Sequence, residues 1–186
     1  MIWLIGPGGA GKTTTGPLLT QRLGLPFRDL DVEFVARFRG IDEFIAAHGY
    51  QTYARANVEA YEAVVRAGAQ GILALSSGFM TYPREIRPGY AATRHAIARS
   101  PTTFVLLPSL DLEACVAETV RRQMARPLPQ RPASREESVI RERFAIYVSL
   151  PAQKVETMRP PPDVAAEIVV RLRAAPAPAY STGAGA

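Results

Sequence analysis

Gly6-Pro7-Gly8-Gly9-Ala10-Gly11-Lys12-Thr13 is the stretch on which the reading of this chain turns. It fits G-x-x-x-x-G-K-[ST], follows the short apolar run Ile2-Trp3-Leu4-Ile5, and precedes a segment with Leu18, Leu19 and Leu23 at helical spacing. The order is therefore strand, glycine-rich loop, helix, the context this phosphate-binding motif requires. Glycines let successive backbone N–H groups turn inward around phosphate oxygens, and the N-terminus of the next helix adds its partial positive charge. Gly8, Gly9, Ala10, Gly11, Lys12, Thr13 and Thr14 are the candidate nucleotide contacts. Lys12 would reach the β- and γ-phosphates of ATP, and the Thr13 hydroxyl would hold Mg²⁺. Pro17 lies early in the following helix, where it lacks an N–H and pushes on the carbonyl of Thr13, so a local kink is expected there.

Outward from the loop, strand and helix patterns alternate. Short strands are expected near 26–30, 72–75, 103–107 and 155–158, and helices near 32–38, 41–48, 51–66, 90–99, 112–125, 136–150 and 164–173. Alternation of this kind makes an α/β domain with a parallel sheet covered on both faces. Ligands of such sheets sit at the carboxyl ends of the strands. The loop, Asp29-Leu30-Asp31 and Ser76-Ser77-Gly78 all fall there. Three prolines in 126–134 make that stretch a loop, and 174–186, built of small residues, proline and one Tyr, is expected to be disordered. Residues 1–173 are thus read as one domain.

Composition removes several function classes. The chain has 186 residues, of which 47% are hydrophobic and 21% charged, so one ordinary globular core is expected. Its longest apolar runs are far short of the ~20 residues of a membrane span, and its start has no signal-peptide pattern, so a cytoplasmic setting is expected. A lone Cys115 with His48 and His95 allows no intrachain disulfide and makes a zinc site a poor reading. The net charge is +5, but the basic residues are mixed with acids along the whole chain. That distribution suits a small anionic ligand, and no nucleic-acid module is present. Of the 22 basic residues, only Lys12 and Lys154 are lysines, which singles out the lysine in the loop.

In Phe27-Arg28-Asp29-Leu30-Asp31 the acids are two apart, and on a strand both would point to one face. Two carboxylates aimed at the loop can serve a metal ion and an acceptor hydroxyl. The plainer reading of Asp31 is an N-cap for the next helix.

With these residues in place the chain resembles the shikimate kinases. The resemblance rests on the loop 6–14, Asp29-x-Asp31, Arg126-Pro127-Leu128 opening a proline-rich lid, and Arg143-x-x-x-Tyr147 in the helix after it. It implies a P-loop three-layer fold: a five-stranded parallel sheet in the order 2-3-1-4-5, an acceptor-binding region near 31–66 and a mobile lid near 126–137. It implies ATP and Mg²⁺ as cofactors, Thr13 and Asp29 at the metal, Lys12, Asp31 and Arg126 in catalysis, and a monomer acting on a small hydroxylated acceptor. Arg143 would hold the acceptor carboxylate, which its planar guanidinium matches. The plainer alternative for Arg143 is a solvated network with the glutamates of 136–142.

Two departures from the family pattern bear on the acceptor. The family's Phe-Arg-x-x-Glu segment reads Tyr53-Ala54-Arg55-Ala56-Asn57 here, so the second carboxylate-binding arginine is Ala54. Arg55 falls on the charged face of its helix with Glu59, where the two are expected to pair. Tyr53, Ala54, Asn57, Tyr61, Val64 and Val65 share the other face. The family's Gly-Gly-Gly is Ser76-Ser77-Gly78, which brings two hydroxyls toward the site. Asn57, Ser77 and Gly78 join Asp31 and Arg143 as candidate acceptor contacts. Two functions from different classes follow: a kinase of shikimate or a related polyol or hydroxy acid, and a non-catalytic nucleotide- or effector-binding module on the same fold.

Overall fold

The computed structural model describes residues 1–126 and 132–174. Five parallel strands, β1 (Ile2–Ile5), β2 (Phe27–Asp29), β3 (Ile72–Ala74), β4 (Thr103–Leu107) and β5 (Gln153–Glu156), pair in the order β2-β3-β1-β4-β5. Register puts Leu4 beside Ala74 on one side and Phe104 on the other. The helices are α1 (Lys12–Leu23), α2 (Leu30–Phe38), α3 (Ile41–His48), α4 (Tyr50–Arg66), α5 (Tyr90–Arg99), α6 (Leu112–Met124), α7 (Ala133–Ser149) and α8 (Pro161–Ala174).

Strand alternation sorts the apolar residues into two cores. Leu4, Ile72, Ala74, Phe104 and Leu106 face α1 and α8, whereas Ile5, Leu73, Leu75, Val105 and Leu107 face the layer holding α2, α4 and Tyr147 of α7. Both faces of the central strands are dry, which is why these strands read as continuous apolar runs. The sheet order and both helical layers are as the sequence implies.

The differences lie at element ends, and each has a local cause. β2 stops at Asp29, whose carboxylate accepts the Asp31 N–H and caps α2, so Leu30 and Asp31 are helical rather than extended. The cap is Asp29, which corrects the reading of Asp31 in that role. α7 begins at Ala133 after Pro132, so the last part of the expected lid, 133–137, is the first turn of a helix. The rest of the expected lid beyond Arg126 and Pro132, together with the tail after Ala174, lies outside the described residues. α8 begins at Pro161, since a proline at the first helical position gives up only an N–H that has no intrahelical partner anyway. Pro17 sits inside α1, which continues to Leu23. Val65, assigned to the buried face of α4, is 46% exposed near the helix end, while Tyr53, Ala54, Asn57, Tyr61 and Val64 are buried as the spacing requires. No helix among the described residues is long and apolar enough to cross a membrane.

Candidate active site

The loop between β1 and α1 bends through Gly9 and Gly11, both at positive φ (77° and 93°). A Cβ on Gly9 would come within 3.1 Å of the Thr119 side chain and 3.2 Å of its carbonyl, so the loop is pressed against α6 there as glycine allows, while one on Gly8 would displace the end of the Gln123 side chain. Lys12 folds over its own loop and donates to the carbonyls of Gly6 (2.7 Å) and Pro7 (2.9 Å). From behind, Arg122 donates to the Gly9 carbonyl (3.2 Å) and to the hydroxyl and carbonyl of Thr157 (3.0 and 2.7 Å). The Thr157 hydroxyl in turn donates to the Ala10 carbonyl (3.0 Å). These bonds tie the loop to the end of β5. They also occupy Arg122, whose Nε is paired with Glu118 at 2.6 Å. Neither Arg122 nor Thr157 stands out in the sequence, because each acts through backbone carbonyls that carry no sequence signal.

Opposite the loop, the Thr13 hydroxyl donates to Oδ2 of Asp29 at 2.8 Å. The two oxygen-bearing side chains expected at a metal are thus side by side, while Oδ1 of Asp29 caps α2. Asp31 faces the same cleft from the first turn of α2, and its Oδ1 accepts from the buried Ser76 hydroxyl at 2.5 Å. A cavity of about 470 Å³ gathers the loop from Gly8 to Thr15, Asp29, Asp31, Ser77 and Arg126. A second cavity of about 250 Å³ holds Arg143, Asp42, Glu136 and Ile140. Gly8, Ser77, Gln123 and Arg126 border both cavities.

Among the described residues, the hydrogen bonds of Arg143 go to hydroxyls and not to the glutamates of 136–142. Its Nη1 donates to the Ser77 hydroxyl (3.2 Å) and its Nη2 to the Tyr50 hydroxyl (2.9 Å), so among the described residues its partners are neutral. Tyr147, one turn further along α7, is fully buried and donates to the Ser77 carbonyl at 2.8 Å, which fixes the helix against the turn after β3. Gly78 lies beneath this group: a Cβ there would approach the Tyr50 hydroxyl to 2.5 Å and Arg143 Nη2 to 3.2 Å. No motif marks Tyr50, the first residue of α4. Asn57, expected at the acceptor, is fully buried behind Asp31, where its amide donates to Ser76 at 2.9 Å. Ser76 likewise points inward, and of the two new hydroxyls only that of Ser77 borders the cavities. Arg55 is on the exposed side of α4, but Glu59 pairs with Arg87 (3.7 Å) instead of Arg55.

Charge and burial oppose one another in this cleft. Burial pulls the Lys12 ammonium down to about 8, against the attraction of Asp31 and Asp29. Burial likewise raises the Asp31 carboxyl above its ordinary value, and the Ser76 hydrogen bond works in the other direction. An anionic phosphate restores to Lys12 the partner that burial demands, so nucleotide binding takes up a proton above pH 8. Nucleotide affinity is therefore expected to fall as pH rises past 8, by up to about tenfold per pH unit. Titrating a fluorescent nucleotide between pH 7 and 9.5 checks this; a flat profile would contradict it.

The sequence pattern of the shikimate kinases matches residues 8–173. The chain belongs to the shikimate kinase family. Among its relatives, the shikimate kinase of Thermobifida fusca is 31% identical over 170 residues, covering 90% of this chain and 91% of that one. The shikimate kinase of Saccharopolyspora erythraea is 32% identical over 174 residues, covering 90% of each. A solved structure of shikimate kinase from Acinetobacter baumannii in complex with shikimate superposes with a TM-score of 0.67 over 93% of this chain and 92% of that one. Its 22% identity speaks to the fold alone. Members of the shikimate kinase family use ATP with Mg²⁺ and transfer a phosphoryl group to the hydroxyl of a small molecule, and this chain is a kinase of that kind. The residues present fit both cofactors. The loop is a cradle that a side chain on Gly9 would distort, and the Thr13 hydroxyl beside the Asp29 carboxylate is the hard-oxygen donor set that Mg²⁺ takes alongside phosphate and water.

Proposed function

We propose that this kinase phosphorylates shikimate or a closely related hydroxy acid, yielding the phosphate ester and ADP in the cytoplasm. The observation that carries this reading is the junction of the two cavities at Ser77 and Arg126, with Asp31 on one side and Arg143 on the other. An acceptor whose carboxylate sits on Arg143 would lie at the junction that opens toward Asp31. Lys12 would hold the β- and γ-phosphate oxygens, and Thr13 and Asp29 would hold a Mg²⁺ whose charge would offset theirs. Asp31 receives the proton of the acceptor hydroxyl as its oxygen bonds to the γ-phosphorus and the bond to the ADP oxygen breaks. Arg126, exposed at the end of α6, meets the transferring charge from the other side. Catalysis of this type is positioning and charge stabilisation, which the part-buried cluster of opposite charges around the loop supports.

Arg143 is the cation this reading assigns to the acceptor carboxylate. Replacing it by Ala is expected to raise the shikimate KM ten- to a hundredfold, the worth of a charge-assisted pair of about 1.5–3 kcal/mol, with the ATP KM nearly unchanged. Arg55→Ala is the control and is expected to do little, being on the exposed side of α4. Steady-state kinetics on both variants decide the matter: an Arg55→Ala loss as large as that of Arg143→Ala would contradict the assignment.

A further inference from the structure

Asp31 is backed by a chain of hydrogen bonds that borders neither cavity. The Tyr82 hydroxyl donates to Asn57 Oδ1 (3.1 Å), Asn57 Nδ2 donates to Ser76 Oγ (2.9 Å), and Ser76 Oγ donates to Asp31 Oδ1 (2.5 Å). Exposure is 0% at Asn57, 2% at Ser76 and 4% at Tyr82, so water does not compete for these bonds. The three residues come from α4, the turn after β3 and the end of the short 3₁₀ turn Phe79–Thr81. Two of them are where the chain departs from its family's pattern, Asn57 in the Phe-Arg-x-x-Glu segment and Ser76 in the glycine triplet. The departures, 19 residues apart in sequence, meet in one direct bond.

The polarity of the chain runs from its far end, where the Tyr53 hydroxyl also faces Ser76 and Tyr82. Tyr82 places its single proton on the amide oxygen of Asn57, which turns the amide nitrogen toward Ser76. Ser76 accepts that N–H, and its own single proton is directed onto Asp31. Oδ1 of Asp31 is thereby held inward, and among the described residues Oδ2 has no hydrogen-bond donor. A buried Asn needs partners, but Tyr82 and Ser76 already supply them; the last bond, to Asp31, adds nothing to the satisfaction of Asn57 and acts only on the carboxylate.

We propose that Ser76 is a positioning residue which, oriented by Asn57 and Tyr82, fixes the carboxylate of Asp31 so that Oδ2 is the oxygen presented to the acceptor hydroxyl. The inference rests on the reading of Asp31 as the group that receives the acceptor proton, and it holds whichever hydroxylated acceptor the enzyme uses. A carboxylate free to rotate meets the hydroxyl in the right geometry only part of the time, so the loss should fall on kcat and not on binding.

Steady-state kinetics with the acceptor that the wild-type enzyme turns over test this. Ser76→Ala is expected to lower kcat ten- to a hundredfold with both KM values within about twofold, and Ser76→Thr, which keeps the hydroxyl, to recover most of the loss. Tyr82→Phe removes only the far-end oxygen and is expected to lower kcat three- to tenfold in the same pattern. In an Asp31→Asn background, Ser76→Ala should cost nothing further. Unchanged kcat in Ser76→Ala, or a loss that multiplies fully with that of Asp31→Asn, overturns the proposal. Carbon-13 NMR of the carboxyl groups gives a readout independent of turnover, so that a failure of the acceptor reading stays separate. The Asp31 resonance should move in Ser76→Ala and that of Asp29 should stay; an unmoved Asp31 resonance overturns the proposal even where no acceptor is turned over.

Discussion

Replacing Lys12 by Ala is expected to cripple phosphoryl transfer, with kcat/KM down by about a hundred- to a thousandfold, while the fold survives. The side chain does two things. It donates to Gly6 and Pro7 carbonyls and so helps hold the loop, and it is the cation nearest the phosphate cradle. The first is shared with the loop's other fastenings, Arg122 and Thr157, which remain in the variant. The second has no substitute, because Arg122 is bound to Glu118 and Thr157 and Arg126 comes from the exposed end of α6. Charge that develops on the transferring group then has no ammonium to meet it, and one well-placed electrostatic contact is worth about 2.7–4 kcal/mol in a closed site. Circular dichroism and a coupled ADP assay on the purified variant check both halves. A variant that is folded and turns over normally would remove the loop assignment.

The second large effect is expected at Asp31. Asp31→Asn keeps the shape and the Ser76 contact but cannot take a proton, so kcat should fall by about 10²–10⁴ with the ATP Kd changed less than threefold. The split follows from geometry: Asp31 is in α2, across the cleft from the loop, and its direct hydrogen-bond partner is Ser76 and no part of the phosphate cradle. Equal losses in nucleotide binding and turnover would mean that Asp31 serves the metal instead.

How much of this was legible in the sequence depends on whether a function is carried by a local pattern. The loop and its flanking strand and helix could be read directly, because the glycines and Lys12 must be consecutive to wrap a phosphate. The sheet order follows from the resemblance and the strand pairing agrees with it, while the apolar runs report only that both faces are covered. Asp29 and Asp31 are legible as a pair, but the helix cap is Asp29 and not Asp31, since whether a carboxylate caps a helix depends on one residue's backbone angles. Residues joined across long separations were the least legible. The Arg143–Tyr50 contact spans 93 positions and the Thr157–Ala10 contact 147, and no short-range spacing reports either. Asn57 stands out by its place in a family segment and reads as an acceptor contact, whereas it is fully buried against Ser76, because spacing on a helix gives the face and not the depth of a side chain.

The central claim is transfer of the ATP γ-phosphoryl group to a hydroxyl of a small hydroxy acid. It is tested most directly by ADP release from the wild-type protein with Mg²⁺ and ATP against shikimate, quinate, gluconate and a set of aminocyclitols, with phosphorus NMR of the product. Shikimate, or another hydroxy acid of that panel, should raise ADP release far above the water background and give one new phosphate ester. ADP release that stays at background with every acceptor, from a protein that binds nucleotide, would contradict the account and favour a non-catalytic nucleotide-binding module.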